Sequence, residues 1–189
     1  LVGASTGGPQ ALFAVLGQLK NSVRQPIFIT QHMPATFTTI LAEHIARSSG
    51  YPTREAVDGE PVAAGRIYVA PGDFHMTIET VTPSNRVLRL SKDPPENFCR
   101  PSVDPMLRSL AQSYGSRVLA IMLTGMGRDG LAGSRALAQS GGTIIAQDEP
   151  TSIVWGMPGA VAMAGVCSAV LPLAEIAPLV EKLASRGAR

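Results

Sequence analysis

The chain has 189 residues, 45% hydrophobic and 16% charged, with a formal net charge of +2; this suits one domain, or one with a small appendage, and excludes disorder. The charge is too small and the basic residues too scattered for a nucleic-acid groove or a membrane-binding patch, and no stretch approaches the roughly 18 apolar residues of a membrane span. Two cysteines, Cys99 and Cys167, cannot build a disulfide framework and lack His or Asp at zinc-ligand spacing, so a reduced, cytoplasmic setting is expected.

Leu1-Val2 reads as the remnant of an apolar strand, with neither a start methionine nor a signal-peptide pattern, so a longer chain upstream is expected. A glycine-rich turn follows, then a helix over 9–19 with Leu12, Val15, Leu16 and Leu19 on one stripe; Pro9 suits its first turn, and Ser5 or Thr6 offers a capping oxygen. PIFIT, 26–30, is a second strand, followed by QHMP and a helix over 37–47. Residues 65–95 hold short β runs joined by Pro/Gly turns, with TPSN after Val81 as a hairpin turn, and read as an antiparallel edge or excursion. A helix over 103–114 leads to the apolar strand VLAIML, 118–123, the loop TGMGRDG and a helix over 131–140. Strands at 143–146 and 166–171 and a helix over 175–184 complete the chain. The pattern predicts an α/β fold: a doubly wound, mostly parallel sheet with helices on both faces and an antiparallel hairpin excursion, in one domain over 1–189.

In such sheets the functional crevice lies past the carboxyl ends of the strands. Ser5, Thr6, His32, Asp129 and Asp148 all occupy loops of that kind. Ser5 sits in G-x-S-x-G, where a sharp turn exposes a hydroxyl, and reads as a nucleophile, a cap or a ligand-binding hydroxyl. His32 is a candidate base or a helix cap, and Asp129 either orients that base or makes a turn. His75 is the rival base, and His44 beside Glu43 reads as a solvated or edge residue. Arg100 is a candidate substrate contact, since a loop cation can orient an acidic partner. Ser102 with Asp104 reads as the cap of the helix that starts there. Met33, Met76, Met122, Met126 and Met157 read as core or loop filler, though a methionine in a glycine loop can line a pocket. A nucleotide site is disfavoured: Pro9 replaces a fingerprint glycine, the second strand ends without Asp or Glu, and the loop has no P-loop lysine.

Read together, GASTGG at 3–8, ITQHMP at 29–34, VAPGDFHM at 69–76, RPSVD at 100–104 and LTGMGRDG at 123–130 closely resemble the catalytic domain of the CheB family, the protein-glutamate methylesterases of bacterial chemotaxis. IAQDE at 145–149 and WGMP at 155–158 extend the resemblance nearly to the carboxyl end. It implies a cytoplasmic signal-transduction hydrolase that removes methyl groups from glutamate methyl esters on the helical region of chemoreceptors, with deamidation of receptor glutamines in some members. It implies Ser5 as nucleophile, His32 as general base, Asp129 as its partner, Thr6 and Met126 lining the site with the Met126 amide as an oxyanion donor, and no metal or organic cofactor. A regulatory receiver domain upstream is a further implied partner, absent from this chain; neither nucleic acid nor membrane insertion is implied. Arg128 stands where the family pattern often has asparagine, and the serine-histidine-aspartate order differs from that of α/β-hydrolases. The second class of reading is a non-catalytic module that keeps the site's shape and docks on receptor helices.

Overall fold

A computed structural model describes residues 1–186. In chain order the elements are β1 (Val2–Ala4), α1 (Gly8–Leu19), β2 (Ile27–Gln31), α2 (Ala35–Ser49), β3 (Thr53–Glu55), β4 (Ile67–Val69), β5 (His75–Thr82), β6 (Asn85–Ser91), α3 (Val103–Tyr114), β7 (Leu119–Met122), α4 (Leu131–Gln139), β8 (Thr143–Gln147), α5 (Met157–Met163), β9 (Ala169–Leu171) and α6 (Leu173–Arg186). Seven strands form one parallel sheet in the order β3-β4-β2-β1-β7-β8-β9, and β5 pairs with β6 as a separate antiparallel hairpin. This is the expected doubly wound α/β fold.

Alternation along the strands divides the interior into two cores. Ile29, Ile67, Val69 and Ile121 face α1, α2 and α6, where they meet Leu12, Leu16, Leu41, Ile45 and Val180. Phe28, Tyr68, Ala120 and Met122 face the other way, toward Val103, Met106 and Leu107 of α3 and Met76 and Leu88 of the hairpin. The central strands are therefore buried on both sides, which is why they read as continuous apolar runs. Among the described residues no helix is long and apolar enough to cross a membrane.

The structure corrects the expected elements in four places. Residues 67–69 do not belong to the antiparallel excursion: β4 joins the main sheet, parallel to β2 with Ile27 opposite Ile67. Thr53-Arg54-Glu55 forms β3, an edge strand too short and polar to show a period. WGMPGAVAM contains α5, a 7-residue helix below the length at which a stripe is readable. The cap of α1 is Gly7 in the left-handed conformation (φ 77°), with no side-chain hydrogen bond; the carbonyl of Ser5, rather than a hydroxyl, accepts the Gly8 amide at 2.8 Å.

α3 and α4 pack at glycine distance. A Cβ on Gly133 would lie 2.5 Å from Leu107 Cβ and 3.1 Å from the Asp104 carbonyl oxygen. Gly133→Ala is therefore expected to lower stability by about 1–3 kcal/mol, read as a fall in the denaturation midpoint; an unchanged midpoint would mean the two helices separate at no cost.

Candidate active site

β1 lies at the centre of the sheet, with β2 on one side and β7 on the other. The chain thus leaves β1 in one direction and returns on the opposite side, so the loops after these three strands open a crevice at the topological switch point. Ser5 follows β1, His32 follows β2, and the loop after β7 runs from Leu123 to Gly130. Ala4 is opposite Gln31 in the β1–β2 register, and the His32 amide donates to the Ala4 carbonyl at 3.1 Å. Residues separated by 26 positions or more in sequence therefore begin their loops side by side.

The glycine-rich turn has a packing task. The Ser5 amide donates to the Thr124 carbonyl at 3.0 Å, and the Ser5 carbonyl also accepts from Gln31 Nε2 at 2.9 Å. A Cβ on Gly125 would lie 2.8 Å from Ser5 Cβ. Glycine at 125 lets the β7 loop close over the serine, and the backbone of Ser5 is held from β2 on one side and from the loop after β7 on the other.

His32 and Asp129 are directly joined: His32 Nε2 lies 2.6 Å from Asp129 Oδ2, and their side chains are 12% and 2% exposed. Asp129 Oδ2 also accepts from the Val103 amide at 2.7 Å. Its Oδ1 accepts from Ser102 Oγ at 2.7 Å, Gly130 N at 2.8 Å, Asn97 Nδ2 at 2.9 Å and Asp104 N at 3.2 Å. Burial pushes the Asp129 carboxyl up, but hydrogen bonds from His32, Ser102 and Val103 more than offset it and hold the group below the usual aspartate range. An ionised carboxylate only accepts, so Nε2 carries the imidazole proton and Nδ1 is left as the basic nitrogen. Cys99 Sγ stands 3.4 Å from Nδ1. Burial and the Asp129 charge push that thiol up, which keeps it protonated and able to donate to the ring.

The predicted residues fare differently. His32 and Asp129 meet, and Ser5 follows β1 at the strand end next to that of His32. Thr6 and Met126 are exposed at the same edge, Met126 at 71%, while Thr124 Oγ1 bonds the Thr6 carbonyl at 2.9 Å. His75 is not an available base: it is buried, Nδ1 accepts the Ser102 amide and Nε2 bonds the Pro94 carbonyl at 3.1 Å. His44 is exposed, its ring 6.0 Å from that of Phe13. Arg100 is committed to Asp73, at 2.6 Å, and to the carbonyls of Lys92 and Asp93. Ser102 occupies the N-cap position of α3 but makes no side-chain cap; its hydroxyl goes to Asp129. Asp104 does not cap α3 with its side chain either, because Oδ1 accepts the Gly133 amide at 2.6 Å. Asp148 bonds Thr151 locally, away from the pair. Sequence reasoning missed Asn97, which carries no motif, and the placement of Cys99, which showed only as a free cysteine. Among the described residues, no group of three His, Cys, Asp or Glu side chains is arranged to hold a metal ion.

Fold and site define a doubly wound α/β domain that presents a serine and a carboxylate-held histidine at its switch point. The chain belongs to the CheB methylesterase family, whose model matches residues 1–180. It is 69% identical over 186 residues to a protein-glutamate methylesterase/protein-glutamine glutaminase of Paramagnetospirillum magneticum, covering 98% of this chain and 49% of that protein. An Azospirillum brasilense protein of the same description is 65% identical over 99% of this chain and 48% of its own length. The chain thus spans about half the length of these relatives. The crystal structure of the Thermotoga maritima CheB methylesterase catalytic domain superposes with a TM-score of 0.93 at 39% identity, over 96% of each chain.

The depressed carboxyl of Asp129 makes stability pH-dependent. The group's native value lies below the 3.8 of an ordinary aspartate, so its contribution is complete above that pH and is lost as pH falls through the lower native value. Denaturant unfolding of the chain and of Asp129→Asn between about pH 5 and pH 2 should show a stability gap that narrows with acid. Because Asp129 also pushes up the Asp104 carboxyl, the same pair of curves is measured in an Asp104→Asn background, which removes that coupling. A gap constant across the range would mean that Asp129 gains nothing from its donors.

Proposed function

We propose that this chain is a serine esterase that hydrolyses glutamyl methyl esters on the cytoplasmic helical region of chemoreceptors, with Ser5, His32 and Asp129 as its triad. The observation that carries the reading is the 2.6 Å pairing of His32 with a buried Asp129 at the strand end next to Ser5. The relatives' shared description supports the substrate class.

In the reaction the Ser5 hydroxyl replaces the Cys99 thiol at His32 Nδ1, and Ser5 Oγ attacks the ester carbonyl carbon as Nδ1 takes its proton and the carbonyl π electrons move to oxygen. Asp129 fixes the imidazole tautomer and stabilises the imidazolium. The Met126 amide, assigned as oxyanion donor on the family resemblance, stabilises the developing charge, a service worth several kcal/mol in acyl transfer. Collapse of the intermediate breaks the carbon–methoxy bond, and His32 returns the proton to give methanol. Water then adds to the acyl-serine with His32 again as base, leaving free glutamate and Ser5. A glutamine side chain enters the same sequence with ammonia as the leaving group, in keeping with the glutaminase half of the relatives' description. A receiver domain as regulatory partner rests on the family resemblance.

Methanol release from a methylated receptor fragment tests the reading. Ser5→Ala, folded as judged by circular dichroism, should lower kcat by at least about 1,000-fold. Equal release by both proteins would remove Ser5 from the chemistry; no release by the parent chain, on a fragment that a related esterase processes, would favour a docking module.

A further inference from the structure

The tight turn between β6 and α3 reaches into the site. Glu96 and Cys99 exchange backbone hydrogen bonds at 3.2 and 2.9 Å, and the residues between them, Asn97 (φ 52°) and Phe98 (φ 64°), are both left-handed. Phe98 points to solvent, fully exposed. Asn97 points inward, and its Nδ2 lies 2.9 Å from Asp104 Oδ2 and 2.9 Å from Asp129 Oδ1. One primary amide thus spends both hydrogens on two carboxylates whose residues are 3% and 1% exposed.

Two buried carboxylates at this separation repel unless something between them donates. A lysine or arginine would do so, but its charge would also cancel the field of Asp129 on His32. A hydroxyl can donate only once, and glycine not at all. A short, neutral double donor that tolerates left-handed backbone is the one chemistry that separates the carboxylates and leaves the His32–Asp129 pair charged. We propose that Asn97 is a positioning residue for the esterase reaction, its amide bridging Asp104 and Asp129 so that Asp129 Oδ2 stays aimed at His32. This rests on the roles given to His32 and Asp129 above.

The titratable and charged groups around the bridge are His32 after β2, Cys99 and Glu96 in the turn, and Asp104 and Arg108 on α3. Arg108 is paired with Glu96 at 2.5 Å. Burial and the nearby Asp129 push the Asp104 carboxyl up, while the Gly133 amide, Asn97 and Arg108 pull it back.

Asn97→Gly keeps the left-handed turn and removes only the amide. Relative to the parent chain, kcat for methanol release should fall about tenfold at unchanged KM, the size of one lost charge-assisted hydrogen bond. Carbon-13 carboxyl spectra should show the titrations of both Asp104 and Asp129 moving to higher pH, a shift that a purely structural turn residue would not cause. Unmoved titrations, or moved titrations with kcat unchanged, would overturn the proposal. Should the glycine variant not fold, Asn97→Asp takes its place: it donates only while protonated, so its kcat should decline above the midpoint of the new carboxyl, and a profile parallel to the parent's would overturn the bridge. No methanol from the parent chain would overturn the proposed function and the catalytic part of this proposal, while the carboxyl titrations still decide whether Asn97 acts on the pair.

Discussion

A single buried carboxylate, that of Asp129, joins parts of the molecule that the chain keeps far apart. The first amides of α3, from Val103 and Asp104, donate to it, as does the Gly130 amide at the entrance to α4. Helix N-terminal amides have no partner within their own helix and carry partial positive charge, so a carboxylate there is stabilised twice. Asp129 therefore caps α3 from outside, and the hydroxyl of Ser102 becomes another donor to it instead of a cap. The same group holds His32. Structure and chemistry draw on one charge.

That dual use explains why the carboxyl remains ionised despite being almost fully buried. Desolvation alone would raise it and neutralise the pair with His32. Hydrogen bonds from His32, Ser102 and the Val103 amide reverse the balance, and the imidazole is then left with its proton on Nε2 and its lone pair on Nδ1. Cys99, with a thiol kept protonated by its surroundings, lies on that basic nitrogen.

The serine side of the crevice is governed by close approach. Gly125 brings the β7 loop against Ser5, and a Cβ on Gly8 would fall 2.0 Å from Gln31 Oε1. Two glycines, one in the β7 loop and one opening α1, thus make room around one backbone position, and Gln31 ties Ser5 to β2. The Ser5 amide is bonded to Thr124 after β7 and its carbonyl to Gly8 and Gln31, so its place at the edge is set by these contacts and not by the flexibility of a glycine loop.

Much of this was legible in the residues themselves. Continuous apolar runs such as VLAIML mark strands buried on both faces, the stripe of Leu12, Val15, Leu16 and Leu19 marks α1, and both patterns follow from local periodicity. Ser5, His32 and Asp129 stood out because each follows a predicted strand. Short or polar elements, β3 and α5, left no period to read, and β4 looked antiparallel because pairing partners are chosen across the sheet. The same holds for the polar network. Which of two histidines is free, whether Ser102 caps its own helix, and what Asn97 touches depend on contacts between residues that sequence leaves distant, and on competition among donors for one buried charge; only the folded chain resolves that competition.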